Sequence, residues 1–426
     1  MGGLEVIVLF LLFLFFGVPV GFALGLPSAI YFILNQIPLA IVSQRMNSSL
    51  LSFPLLAIPL FILAGNLMNV SGATEHIFAF AKIFVGRIRG GLGYVNVIAS
   101  LIFAGMSGSA LADIGGLGAV EIKAMNEQGY RLEDSACLTL ASSIIGPIFP
   151  PSIHMIIYAL VAEQSAIKML IAGVFPGLLI TASFLILVAY LSYKGKWPKE
   201  ENILTAKQKI KILLNAFPAL LTPILLLGGL FSGYFSPTEI AAVLILYILF
   251  LGIFIYKTIT WRNLFNMSLK TIYATGATTF VLATASSFAW ILAVEQMPVK
   301  ISTFLLGFSS SPVVILLMIN VILLLSGMFI NVTSSILIFT PIFYPLIGFL
   351  GISPIHLGTI IVLNLMIGLL TPPVGMGLYF TSKIFKIPVE IVLKNLMPYF
   401  IVLIIVLMAV TFFPPLSTWL PGLLFR

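Results

Sequence analysis

Apolar runs recur along this chain from one end to the other, among them Val6–Phe16, Leu170–Leu191 and Phe400–Val410. Only 8% of the residues are charged, where a soluble domain carries about 25%. A chain so poor in charge cannot cover its own surface in water, so most of that surface faces lipid. A helical span needs about 20 mostly apolar residues, which leaves room for roughly ten. The sequence therefore predicts an all-α polytopic membrane protein. The first apolar run lacks a basic leader and a small-residue cleavage site, and reads as a membrane segment rather than a signal peptide. Cys137 is the single cysteine and has no internal disulfide partner. His76, His154 and His356 are too scattered to suggest a metal centre. The net charge of +8 reads as membrane orientation, not nucleic-acid binding.

Two motifs occur twice, in the same order. Gly105-Met106 is followed by Ile145-Gly146-Pro147-Ile148-Phe149-Pro150-Pro151, and Gly327-Met328 by Ile367-Gly368-Leu369-Leu370-Thr371-Pro372-Pro373. Each matched position is offset by 222 residues. Leu63–Met68 against Leu292–Met297 gives a third, weaker match with an offset of 229. A constant offset across separated motifs predicts an internal duplication. The first copy covers 1–193 and the second 212–426, with 194–211 as a basic cytoplasmic linker.

Lys and Arg placement orients the copies. Placing Lys82–Arg89, Lys123–Arg131, Lys194–Lys211, Lys257–Lys270 and Lys383–Lys394 on one side collects 17 of the 21 basic residues there, which makes that side cytoplasmic. The stretch 94–122 then begins and ends in the cytoplasm, and 312–350 begins and ends in the periplasm. Two re-entrant hairpins entering from opposite faces are expected of a transporter with inverted repeats. Inversion requires two crossings within Val6–Pro38, broken near Gly17-Val18-Pro19, and a periplasmic N-terminus. The expected total is ten spans and two hairpins.

Two further spans, over 135–162 and 356–382, contain the double prolines. Adjacent prolines remove backbone donors and break a helix, and non-helical backbone survives in a bilayer only where protein or a polar cavity covers it. Carbonyls at the end of a half-helix suit Na⁺, and amides at the start of one suit a carboxylate. A plain proline kink is the simpler alternative, but two breaks in matched positions favour ion sites. One cation site is expected to join the tip Ser107–Ser109 to Gly146, the other Gly327, Asn331 and Thr333 to Gly368 and Thr371. Asp113 is an acid inside an apolar hairpin and a candidate cation ligand, proton relay or structural partner. The substrate anion is expected between the tips, near Ser107, Ser152, Asn331, Thr333, Pro373 and Val374. Na⁺ rather than H⁺ is expected as the coupling ion, since oxygens are plentiful there and acids are not. Ser236-Pro237-Thr238-Glu239 reads as a helix capping box. Glu295 reads as interfacial, and His154 as packed or surface-lining rather than a proton shuttle. Leu39–Ser52 and Lys257–Lys270 read as matching interfacial segments that brace a scaffold.

Together these residues resemble the large permease subunit of the TRAP (tripartite ATP-independent periplasmic) family, the DctM-like proteins. The most specific elements are Ile58–Gly65, Gly105–Asp113, Phe149–Ser152, Ser236–Glu239 and Leu370–Gly375, and the resemblance spans essentially the whole chain. It implies an elevator-type fold of the ion-transporter superfamily and Na⁺ coupling in a bacterial inner membrane. It also implies a small four-helix membrane subunit and a periplasmic binding protein that delivers the substrate, sialic acid or a C4-dicarboxylate. Asn66 stands where many members carry Glu, which removes any role for that acid. A stand-alone transporter of the same superfamily is the alternative. An intramembrane enzyme lacks convergent catalytic residues, and a passive channel has no need of two broken helices.

Overall fold

A computed structural model describes residues 1–85, 88–195, 197–199, 205–309 and 311–425. Gly17, at φ 77°, and Pro19 split the first apolar stretch into the helices Gly3–Phe15 and Val20–Leu34, which pack together. At about 1.5 Å per residue they are roughly 20 and 22 Å long, short of a hydrocarbon core of about 30 Å. Among the described residues, eight helices are long and apolar enough to cross a membrane. That corrects the expected ten spans, and two of the eight, Pro312–Phe329 and Val332–Leu350, lie in the stretch read from sequence as a hairpin.

The interfacial segments differ from each other. Ala40–Leu50 is a separate helix with no buried residue, packed on the side of Trp261–Val294. Pro54 disfavours helical geometry at the residue before it, and the chain turns there before Phe53–Val70. No proline follows Trp261 for 34 residues, so the second segment runs without interruption into its span. The Trp261–Val294 helix is about 51 Å long, and its exposed end carries Trp261 and Phe265. Of the linker, residues 196 and 200–204 lie outside the described residues, and 206–211 already belong to the helix Ala206–Ser232.

That helix contains Pro218 and Pro223. The Tyr247 and Tyr256 hydroxyls donate to the carbonyls of Pro218 and Asn215 at 2.7 and 2.8 Å, supplying partners where prolines disturb the ladder. Helix Pro237–Ile255 opens with Pro237 in the first turn and a reciprocal cap. The Ser236 N–H donates to Glu239 Oε2 at 2.7 Å, and the Glu239 N–H to Ser236 Oγ at 3.3 Å.

Inside this frame lie two helical hairpins and two broken helices. Gly91–Ser107 turns at Gly108 (φ 60°) and Ser109 into Ala110–Gly115 and Leu117–Glu127. Pro312–Phe329 turns at Ile330 and Asn331 into Val332–Leu350. The chain leaves helical geometry between Ile145 and Ile153, and again between Gly368 and Met376. Both Pro-Pro peptide bonds there are cis. The helices Val174–Lys194 and Val389–Phe412 pack together along this inner group.

A buried polar network ties the first hairpin to the first broken helix. The Asn96 amide donates to Glu121 Oε2 and to Thr139 Oγ1, each at 2.7 Å, and the Ser142 hydroxyl donates to Asn96 Oδ1 at 2.9 Å. Removing one member strands the others, at about 1–3 kcal/mol per orphaned group. Asn96→Leu and Glu121→Leu should each lower the unfolding temperature in detergent. The double variant should cost less than the sum of the two, because both partners become apolar. Additive losses in a thermal-shift cycle would show that the network is not coupled.

Candidate functional site

Each hairpin tip lies against the broken helix of its own half. A β-carbon on Gly108 would stand 2.1 Å from the Pro151 carbonyl oxygen, and one on Gly368 would stand 2.6 Å from Cα of Gly327. The Gly375 N–H donates to the Met328 carbonyl at 3.2 Å. Only glycine permits this approach, which brings the irregular backbone of one element against that of another.

In the first half, Ser107, Asp113 and Gly146 converge. The Ser107 hydroxyl donates to Asp113 Oδ1. Asp113 Oδ2 is buried without a hydrogen-bond partner, and a β-carbon on Gly146 would stand 2.6 Å from it. A buried carboxylate with one hydroxyl partner calls for a proton or a bound cation. Ser109 caps the next helix, accepting from the Ala112 N–H at 3.4 Å.

In the second half, Gly327 and Gly368 touch, and Thr371 is buried nearby in sequence, its hydroxyl donating to the Ile367 carbonyl at 2.9 Å. Asn331 caps the tip helix through the Thr333 N–H at 2.9 Å. Ser335, which occupies Asp113's place in the repeat, pairs with Ser326 at 3.1 Å. This half of the site therefore has backbone and hydroxyl oxygens but no acid at the matched position.

Between the halves lies a cavity of about 110 Å³. Its lining includes five residue pairs, each separated by 222 positions: Ser109 with Asn331, Ala110 with Val332, Leu111 with Thr333, Pro147 with Leu369, and His154 with Met376. Met366 completes it. Asn331 and Thr333 also border a second cavity of about 240 Å³, whose other wall includes Val20 and Thr278.

Several residues singled out in the sequence stand elsewhere. Ser152 is fully buried, its hydroxyl bonded to the Pro147 carbonyl while it caps the Met155 N–H at 3.1 Å. Ser107 is buried behind the tip, and Pro373 and Val374 are exposed but do not line the cavity. Asn66 donates to Thr271 Oγ1 at 3.0 Å and joins two frame helices. Two residues carry more than their sequence context suggested. Glu121 is fully buried, although Lys123 beside it made the hairpin end look exposed. His154 lines the cavity, and its signal was the 222-residue register that pairs it with Met376.

Comparison with known proteins places these features. Residues 7–416 match the model of the DctM component of the tripartite ATP-independent periplasmic transporter. The sialic acid TRAP transporter large permease protein of Vibrio cholerae is 42% identical, over 96% of each chain. The sialic acid TRAP permease of Haemophilus influenzae is 41% identical, covering 98% of this chain and 68% of its own length. The C4-dicarboxylate TRAP large permease of Pseudomonas aeruginosa is 36% identical, over 87% and 86%. Among solved structures, the YdaH transporter of Alcanivorax borkumensis has a similar fold, with a TM-score of 0.64 at 14% identity over 88% of both chains.

The contact between Gly327 and Gly368 leaves no room for a methyl group. Gly368→Ala should lose about 1–3 kcal/mol of stability through overpacking. It should also lose the stabilisation that NaCl gives the wild type by mass action. Unfolding temperatures measured with and without NaCl test this, and a variant indistinguishable from wild type in both would refute it.

Proposed function

The chain belongs to the DctM family of tripartite ATP-independent periplasmic transporters, and from that premise we propose that it is the large membrane subunit of a Na⁺-coupled importer. Family membership makes it a multi-spanning inner-membrane transport protein for an organic anion, and not an enzyme. In the proposed reading a small membrane subunit and a periplasmic binding protein complete the transporter. The substrate is sialic acid, after the relatives at 42 and 41% identity. A C4-dicarboxylate is the second reading, after the relative at 36%.

One observation carries the site: ten of the residues lining the central cavity are five pairs in the 222-residue register. That pairing supports two repeats related by an axis through the cavity, with inverted topology, re-entrant hairpins and a periplasmic N-terminus. Gly146 with Ser107, Ser109 and Asp113 holds one Na⁺. Gly368 and Thr371 with Gly327, Asn331 and Thr333 hold the other. The substrate carboxylate binds between them, where the bound ions and the half-helix amides compensate its charge. Asn331 and Thr333 border both the central cavity and the gap to the frame helix Trp261–Val294. That arrangement suits an elevator, in which hairpins and broken helices carry the site past a fixed frame.

Ion and substrate binding are then linked, and each raises the affinity of the other by the same factor. Ser109→Ala and Thr371→Ala should each raise the Na⁺ concentration for half-maximal uptake several-fold in proteoliposomes of the complete transporter. A proton gradient in Na⁺-free buffer should drive no uptake. Full uptake under the proton gradient, or unaltered Na⁺ dependence in both variants, would sink the model.

A further inference from the structure

We infer that His154 is a specificity-determining residue of the central cavity, and that the cavity is built for a monocarboxylate bearing neutral polar groups rather than for a dicarboxylate. This rests on the proposed reading of the cavity as the substrate site. The argument starts from how the two halves differ. Where the paired residues are alike, as with Ala110 and Val332, the cavity cannot tell one end of a ligand from the other. It breaks that likeness at His154 against Met376 and at Leu111 against Thr333. The differing pairs therefore decide which way round a ligand lies.

No Lys, Arg, Asp or Glu lines this cavity. One carboxylate can be compensated by ions held at the two breaks. A second carboxylate at the far end would meet only neutral groups and would leave water uncompensated, which is costly. Hydroxyl and amide groups would instead find partners. His154 is partly accessible, and it borders this cavity near the start of the helix Ile153–Val161. Its Nδ1 is buried with no hydrogen-bond partner. Buried polar atoms without partners are exceptions that call for an explanation, and a ligand group supplies one. A half-turn of the ring exchanges its nitrogen and carbon positions, so the imidazole can turn a nitrogen towards a ligand. Neutral imidazole offers one donor and one acceptor, which suits a hydroxyl or an N-acyl group. The thioether of Met376 offers at most a weak acceptor. A sugar acid such as N-acetylneuraminate presents one carboxylate with hydroxyls and an acetamide, whereas succinate presents a carboxylate at each end.

The test is direct binding to the purified membrane subunits, which removes the binding protein's own selectivity. Calorimetry would measure N-acetylneuraminate and succinate at saturating NaCl for wild type, His154→Phe, which keeps the ring volume, and His154→Gln, which keeps hydrogen bonding. The wild type should bind N-acetylneuraminate at least tenfold more tightly than succinate. His154→Phe should raise the Kd for N-acetylneuraminate about tenfold, the scale of a lost hydrogen bond, and His154→Gln should recover most of that. Equal affinity of the wild type for both acids overturns the monocarboxylate assignment. NaCl-dependent binding that is the same in wild type and His154→Phe, or a loss that Gln fails to recover, overturns the role of His154 alone. Wild-type affinity independent of NaCl would instead count against the underlying site.

Discussion

Unpaired backbone cannot face hydrocarbon, and everything distinctive in this molecule follows from that constraint. Double prolines at Pro150-Pro151 and Pro372-Pro373 strip donors from two segments in the middle of the fold. Those segments stay only because other backbone covers them. Gly108 lies against Pro151, Gly327 against Gly368, and the Gly375 amide donates to the Met328 carbonyl. The glycines thus serve one purpose, an approach closer than any side chain allows. The same oxygens and amides that need covering are the groups able to hold an ion or an anion.

The two tips stand differently against the frame. The first is tightly packed: a β-carbon on Gly65 would stand 3.3 Å from the Ser107 backbone, and one on Gly105 would stand 2.8 Å from Pro223. The second faces Val20 and Thr278 across the cavity of about 240 Å³. On the proposed elevator reading, the gap beside Asn331 and Thr333 is where a carried ligand meets the fixed helix. The polar network of Asn96, Glu121, Thr139 and Ser142 locks the first hairpin to its broken helix, so that the two move as one body.

Local chemistry made several elements legible. The cap at Ser236–Glu239, the break at Gly17–Pro19 and the helix ends at the double prolines depend on residues within a turn of one another, and the structure has each of them. Span counting failed because composition marks apolar stretches without fixing helix length. The helices Gly3–Phe15 and Val20–Leu34 are short, and the second hairpin has limbs as long as spans. The interfacial segments looked equivalent until Pro54 separated one from its span and left the other continuous.

The sequence by itself determined that the chain lives in lipid, that it is duplicated in a register of 222 residues, and where its helices must break. Those properties follow from apolar runs, repeated motifs and the missing N–H of proline, all of them local. Tertiary structure decided which side chains reach the shared cavity. Ser152 and His154 are two residues apart beside the same break, yet Ser152 turns inward to cap its own helix while His154 borders the cavity. The direction of a side chain near a helix start depends on which cap bond forms and on what packs opposite. Here what packs opposite is the other half of the molecule, 222 residues away.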